Sequence, residues 1–463
     1  MVGPVRGAAL AIFWGAAVTI AATYVLLPAA ILLRGRLLRR PIAADDAEPD
    51  VSVIIAAHNE AQSIGPKLAN LLAADYPADR LQILVASDGS DDATNAVVAT
   101  FADRAVRLLA LPRVGKAAAL NAALAEASGE IVVFSDANSM FAVDAIRALV
   151  RPFADPAVGG VAGDQRYLRG GASGAMAQGE RGYWDLDRML KRAESSSGNV
   201  ISATGAIYAV RRDLIPPVPE GVTDDFITST AVVPAGRRLV FAEDAAAFEP
   251  VASSGGVEYG RKVRVMTRGL RGVVLRRALL DPRRTGFYAI QMLWHKLLRR
   301  LMVLPLIGLA VSSPLLIGSG PIYGLATAGQ AVFYGLAGAG IALRGRSISR
   351  NRLLAFPAYF CLVNLAALHA ALNVIRGRRI DRWEPRRSVD SGTTDASSEP
   401  DGPDAEHAVA PARATPPASA RVAGGDHGPG PQARPARGAT DDPHPAPRRA
   451  GPSHRDPAPE RVR

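Results

Sequence analysis

The placement of charge restricts this chain more than any other feature. Between Arg6 and Arg34 no residue is charged, and apolar side chains run from Ala8 through Trp14 to Leu33. About 20 apolar residues span a bilayer as one helix, whereas the apolar core of a cleaved leader is about 7 to 15 residues long. The length therefore favours an uncleaved anchor over a signal peptide. Two more charge-free stretches, Leu301 to Leu343 and Leu353 to Ile375, lie far down the chain. Gly318-Ser319-Gly320-Pro321 is turn chemistry and divides the first of them into two spans. Four spans result. Helices buried in a large soluble protein, the rival reading, rarely lack charge for so long.

The net charge is +11, and its basic residues flank the apolar stretches: Arg34, Arg36, Arg39 and Arg40, then Arg299 and Arg300, then Arg344, Arg346, Arg350 and Arg352. The positive-inside tendency puts residues 41 to 300 in the cytoplasm, beneath an inner (plasma) membrane crossed several times. Nucleic acid is not the partner this pattern implies, because the cations border membrane segments instead of forming an aromatic-interleaved groove. The lone Cys361 excludes a disulfide framework within one chain. One conflict stands. Four spans leave Arg376-Gly377-Arg378-Arg379 outside, against the same tendency, so one apolar segment lies along the membrane or re-enters it.

These features divide the chain into an N-terminal transmembrane anchor (1–40), a linker (41–50), a cytoplasmic domain (51–286), an interfacial helix (287–300), C-terminal transmembrane helices (301–383) and a Pro-, Ala-, Gly- and Arg-rich disordered tail (384–463). Within the domain, apolar runs at Val51 to Ala57, Leu81 to Ala86, Val106 to Leu111 and Glu130 to Ser135 read as buried strands. Helical candidates lie between or after them at Lys116 to Ala127 and Val143 to Phe153. Such alternation implies βαβ units, a parallel sheet and helices on both of its faces. Looser helical candidates follow at Gln178 to Glu194 and Thr223 to Val233. Residues 258 to 280 and Tyr288 to Arg300 suit amphipathic helices at the membrane surface.

In such sheets ligands bind at the carboxyl ends of strands. There the chain places His58-Asn59-Glu60, Ser87-Asp88-Gly89-Ser90, Arg113-Val114-Gly115-Lys116 with Asn121, and Asp136-Ala137-Asn138. Singly, Asp88-Gly89 reads as a turn and Asp136 as a helix cap. Together they suit a nucleotide, which needs hydrogen bonds to base and ribose and neutralisation of its diphosphate. Asp136 and Asn138 offer hard oxygen ligands to Mg2+ or Mn2+.

From residue 51 to about 300 the chain resembles family 2 glycosyltransferases, the group that includes cellulose, chitin, hyaluronan and poly-N-acetylglucosamine synthases. The resemblance rests on Asn59-Glu60, on Asp88-Gly89-Ser90, on Gly115-Lys116-Ala117-Ala118-Ala119-Leu120-Asn121, and on Asp136-Ala137-Asn138, where the family's Asp-x-Asp metal motif has lost one charge. It also rests on Thr223-Asp224-Asp225, similar to the family's Thr-Glu-Asp element. The resemblance implies an α/β fold: a glycosyltransferase A type, Rossmann-like domain with flanking transmembrane helices. It implies donor binding by Asn59, Glu60, Asp88, Gly89, Lys116, Asn121 and Asp136, and a divalent cation at Asp136 and Asn138. Asp225, beside Asp224, becomes the general base of an inverting transfer, taking the acceptor's proton. By itself the same segment reads as a helix N-cap with an acidic first turn.

Acceptor contacts fall to Asp164, Gln165, Thr204 and Gly205, for which surface polarity and a strand bulge are the bland alternatives. The family's Gln-x-x-Arg-Trp element is replaced by Arg261-Lys262-Val263-Arg264-Val265. Arg261 and Arg264 suit the leaving diphosphate, since guanidinium grips phosphate oxygens in pairs, and an interfacial helix on anionic lipid is the other reading. The missing Trp removes a platform for a growing polymer. His295, Lys296 and Trp383 read as interfacial anchors.

The expected reaction is hexosyl transfer from a nucleotide-sugar, a uridine diphosphate sugar by resemblance, to a saccharide or lipid-linked acceptor. Polysaccharide synthesis for the cell envelope would need an export partner or a homo-oligomer, because four spans are few for a channel. The alternatives are a non-processive glycolipid or polyprenyl-linked sugar transferase and an inactive carbohydrate-binding assembly subunit.

Overall fold

The computed structural model describes residues 3–168, 175–250, 255–343, 346, 348 and 351–378. The expected tail 384–463 and Trp383 lie outside the described residues. Four strands, β1 (Val51–Ala57), β2 (Leu81–Asp88), β3 (Val106–Leu111) and β4 (Ile131–Ser135), run parallel in the order β3-β2-β1-β4. β1 and β4 are buried at every position, as strands covered on both faces are, which is why they appear in the sequence as unbroken apolar runs. Successive side chains of β1 serve opposite layers. Val53 and Ile55 meet Ile64, Leu68 and Leu71 of the helix Ala61–Leu72, while Ile54 and Ala56 meet Ala119, Leu120 and Ala123 of the helix Lys116–Glu126. Each such fully buried aliphatic side chain contributes about 1.5–3 kcal/mol.

The other half of the sheet departs from the all-parallel expectation. β5 (Met140–Phe141), β6 (Val158–Tyr167), β7 (Tyr208–Arg211) and β8 (Arg238–Glu249) complete the order β3-β2-β1-β4-β7-β6-β8-β5. β7 is antiparallel to both β4 and β6, β5 is antiparallel to β8, and β6 and β8 are parallel. The sheet is therefore mixed. Apolar runs disclose that a strand is buried but not which way it points. The helix Ala175–Ser197 and the segment 198–207 after it separate β6 from β7 in the chain.

Three helices, Pro4–Leu37, Pro321–Ala342 and Arg352–Ile375, are long and apolar enough to cross a membrane; Phe287–Leu301 and Val303–Leu315, bent by 53° at their junction, make a fourth if counted as one. The N-terminal helix has two partners. Its first half buries Ala9 and Phe13 against Leu316 and Tyr323, and Trp14 Nε1 donates to Tyr323 Oη at 3.2 Å. Its second half lies on the domain: Ser196 Oγ donates to the Gly35 carbonyl at 3.1 Å, and Arg40 N donates to the Ser196 carbonyl at 2.7 Å.

That crossing requires glycine at position 35, because a Cβ there would stand 2.7 Å from Ala193 Cα. Gly35→Val is expected to destabilise the chain by about 1–3 kcal/mol through this clash. Thermal unfolding in detergent checks it, and an unchanged midpoint would mean that the two helices part without cost.

Candidate active site

The carboxyl ends of β1 and β2 are laced together before any ligand is considered. Asn59 has φ +55°, an uncommon conformation that asparagine tolerates better than most residues. Its Oδ1 accepts from Asp91 N at 3.0 Å, and its own N–H donates to Ser90 Oγ at 3.1 Å. Glu60 N donates to Thr94 Oγ1 at 2.8 Å, and His58 Nδ1 lies 2.8 Å from the Asp88 carbonyl. The Asp88 carboxylate, wholly buried, accepts from Val114 N and Gly115 N at 2.7 Å each and pairs with Arg113 at 2.9 Å. Gly89, at φ +59°, lets this loop close: a Cβ there would fall 2.7 Å from Arg113 N. Asp88 and Gly89 thus set the course of the chain that delivers Lys116.

Lys116 begins its helix with its ammonium between two carboxylates, 3.2 Å from Asp136 Oδ1 and 3.2 Å from Asp224 Oδ2. Burial opposes its charge, but Asp136 and Asp224 overcome that and hold its pKa above the ordinary lysine value. Asp136 follows β4, whereas Asp224 and Asp225 open the helix Asp224–Thr230, whose N-terminal dipole favours carboxylates. Thr223 occupies the N-cap position but makes no side-chain capping bond. Burial raises the Asp225 carboxyl, Asp224 raises it further, and Lys296, the Phe226 N–H and Lys116 pull it back, leaving it at about 6. A carboxylate poised near neutrality suits proton abstraction.

Gly205 faces this cluster so closely that a Cβ would lie 3.1 Å from Asp136 Oδ2. Its neighbour Thr204 has a buried Oγ1 with no hydrogen-bond partner, a cost that a bound hydroxyl would remove. The donors around Asp136 suit a divalent cation: its carboxylate is 40% exposed, and the Asn138 amide belongs to the same turn. Both offer hard oxygens, as Mg2+ and Mn2+ require. Among the described residues no three His, Cys, Asp or Glu side chains form a cage, so substrate phosphates would have to complete the coordination.

Other expected site residues stand apart from this cluster. Asn121 uses both ends of its amide on the backbone of Val218, at 3.0 and 2.8 Å, bracing the segment that leads to Thr223. Asp164 is held by Arg166 at 2.7 Å and Arg188 at 3.0 Å. Gln165 donates to Glu249 Oε2 at 2.8 Å. Arg261 and Arg264 lie on the helix Gly255–Leu275, which meets the Asp224–Thr230 helix only further on, where Gly272 abuts Phe226 and Arg276 donates to the Ile227 carbonyl. Two to three helical turns separate Gly272 from those two arginines.

A support beneath the Asp136 turn was not anticipated. Lys67, fully buried, donates to the Ser139 carbonyl and stands 3.5 Å from the Phe141 ring centroid, while Ser139 Oγ donates to Glu249. Burial drives the Lys67 ammonium well below the ordinary lysine value against the pull of Asp136 and Glu249. The signal was present: Ile64, Lys67, Leu68 and Leu71 share one buried helix face, where a lysine has no reason to be unless it has partners. His295 and Lys296, read above as interfacial anchors, turn into the protein instead. His295 Nε2 lies 2.8 Å from Glu194 Oε1, and Lys296 donates to Ser202 Oγ at 2.7 Å.

Residues 52–216 match the family model described as Glycosyl transferase family 2. Over 198 residues the chain is 28% identical to a beta-monoglucosyldiacylglycerol synthase of Synechocystis, an alignment covering 40% of this chain and 41% of that protein. Over 183 residues it is 31% identical to an N-acetylglucosaminyltransferase of Rhizobium meliloti, covering 38% and 43%. The chain thus spans less than half the length of these relatives. A solved mannosyltransferase of Pyrobaculum calidifontis, in complex with GDP-Man and Mn2+, superposes with a TM-score of 0.60 at 26% identity, covering 81% of this chain and 99% of that one. With the parallel strands and the Asp88 and Asp136 ends that they carry, residues 52–216 thus match a glycosyltransferase family 2 domain.

Proposed function

We propose that this chain is an inverting glycosyltransferase of the inner membrane, moving a sugar from a nucleotide-sugar to a saccharide or lipid-linked acceptor. One observation carries the reading: Lys116 joins Asp136 and Asp224 while Asp225 stands in the same helical turn with its carboxyl raised to about 6. Asp136 and Asn138 would hold a divalent cation together with the donor's phosphates. When bound, it supplies positive charge to the departing diphosphate. Lys116 adds a fixed positive charge beside that site, and Asp225 accepts the proton of the attacking hydroxyl. Within this reading a non-processive transfer to a lipid acceptor is favoured, because Val265, half-exposed, stands where a polymer synthase would need an aromatic platform.

Turnover of UDP-glucose, UDP-N-acetylglucosamine or GDP-mannose with Mn2+, in micelles containing diacylglycerol or polyprenyl phosphate, tests the reading. Asp225 must be ionised to accept a proton. The rate is therefore expected to hold above about pH 6 and to fall about tenfold per unit below it, since protonation removes the base. Asp225→Asn is expected to lower kcat by at least about 100-fold. Equal activity in that variant would remove Asp225 from the mechanism.

Two contacts support a membrane arrangement that resolves the charge conflict. The helix Arg352–Ile375 starts against the end of Pro321–Ala342, with Gly340 packed on Leu354 and Ala358. It finishes with Ala370, Ala371 and Val374 against Leu270 of the Gly255–Leu275 helix and against Leu297 and Leu301, at the beginning of the preceding hairpin. Both ends of a two-span hairpin lie on one side, so a helix reaching from one to the other runs along the cytoplasmic face. Arg376 and Arg378 are then inside, as basic segments prefer. A reporter fused after Arg378 is expected to be cytoplasmic, and an external reporter would restore four crossings.

A further inference from the structure

The helix Phe287–Leu301 is the first element beyond the domain, and it is not a plain amphipathic helix. Its segment Leu293–Leu298 is a π-helical turn, a local widening found often at functional sites. Three consecutive side chains leave this turn for three different partners. Trp294 Nε1 donates to the Thr23 carbonyl at 2.8 Å, in the π-turn of the N-terminal helix, and His295 meets Glu194. Lys296 donates to Ser202 Oγ at 2.7 Å and lies 5.3 Å from the ring centroid of Phe226, the residue after Asp225. The same element also holds the loop before Thr204 through Tyr288, which donates to the Ile201 carbonyl at 2.7 Å, and Gln291, which donates to the Asn199 carbonyl at 3.3 Å. From the other side Ala203 N donates to Ser229 Oγ, which donates in turn to the Asp225 carbonyl at 2.5 Å.

We propose that Lys296 is a positioning residue for the transfer: held by Ser202 and over the Phe226 ring, it ties the Asn199–Ala206 loop to the helix bearing the base and sets a cation on the base's side of that helix. This rests on the reading of Asp225 as general base. The charges that act on Lys296 are Arg300, Asp225, Asp187 and Lys191. Asp187 is already paired with Lys191 at 2.8 Å, which leaves Asp225 as the carboxylate that Lys296 serves. The charges acting on Asp225 are Asp224, Lys296 and Lys116. Lys116 is shared between Asp136 and Asp224, so Lys296 is the cation available to offset the like charge of Asp224. Removing it leaves Asp224 less opposed. The carboxyl of Asp225 then takes up its proton at higher pH.

The test is the pH profile of kcat/KM for full-length protein in detergent, with whichever of UDP-glucose, UDP-N-acetylglucosamine and GDP-mannose turns over. Lys296→Met is expected to move the acid limb upward by about one pH unit, the effect of one nearby charge, while Lys296→Arg keeps it in place. If Lys296→Met does not accumulate, Ser202→Ala, which frees the ammonium without deleting it, is expected to move the limb the same way by a smaller step. A uniform loss of rate at every pH, with an unmoved limb, is the signature of a merely structural contact and overturns the inference. Asp225→Asn, run alongside, separates the two failures. If it is inactive while the Lys296→Met limb stays put, only the role of Lys296 falls; if it is fully active, the general-base reading falls with it.

Discussion

The ammonium of Lys116, held between Asp136 and Asp224, is the interaction on which the rest of the site depends. Two carboxylates delivered by chain segments nearly ninety residues apart would repel one another in a partly buried place; a lysine between them turns that repulsion into a fixed geometry. The lysine is itself placed from further back. The buried Asp88 carboxylate takes the N–H groups of Val114 and Gly115, so the end of β2 determines where the Lys116 helix begins. Asn59, strained and bonded to Asp91, fixes the end of β1 against the same loop. Asp88 and Asn59 therefore act on the cluster through backbone, whatever else they touch when a donor is bound.

The parallel half of the sheet was legible in the sequence because burial on both faces leaves a plain trace, an unbroken apolar run such as Val51 to Ala57. The antiparallel half was not, since β7 has the same apolar character as its neighbours and strand direction leaves no mark in composition. Motif positions at strand ends told which residues lie near one another, but not what their side chains bond to. Asn121 is an example: its place after Lys116 suggests a ligand, yet both ends of its amide belong to Val218. Lys67 could have been found by asking why a charge sits on the apolar face of Ala61–Leu72. Lys296 could not, because a lysine beside an apolar span has an ordinary explanation in interfacial anchoring, and only the fold shows it turned inward.

The long apolar helices and the candidate site also share contacts. The helix Gly255–Leu275 presses Gly272 against Phe226 while donating Lys262 Nζ to Tyr359 of the last apolar helix at 3.0 Å. Phe287–Leu301 holds the loop that carries Thr204 and then bends by 53° into the next apolar helix. If these apolar helices cross a membrane, as the proposed function has it, the contacts set the height of Asp225 relative to the bilayer. For a soluble acceptor that height would be of no consequence, and a flexible tether would serve as well. For an acceptor whose hydroxyl sits at a fixed depth in the lipid headgroups, the distance between Asp225 and the membrane plane decides whether attack can occur, because reacting atoms must come within about 3–3.5 Å. Under the proposed function, contacts that tie the Asp225 helix to the apolar helices are the arrangement that a lipid-linked acceptor would require.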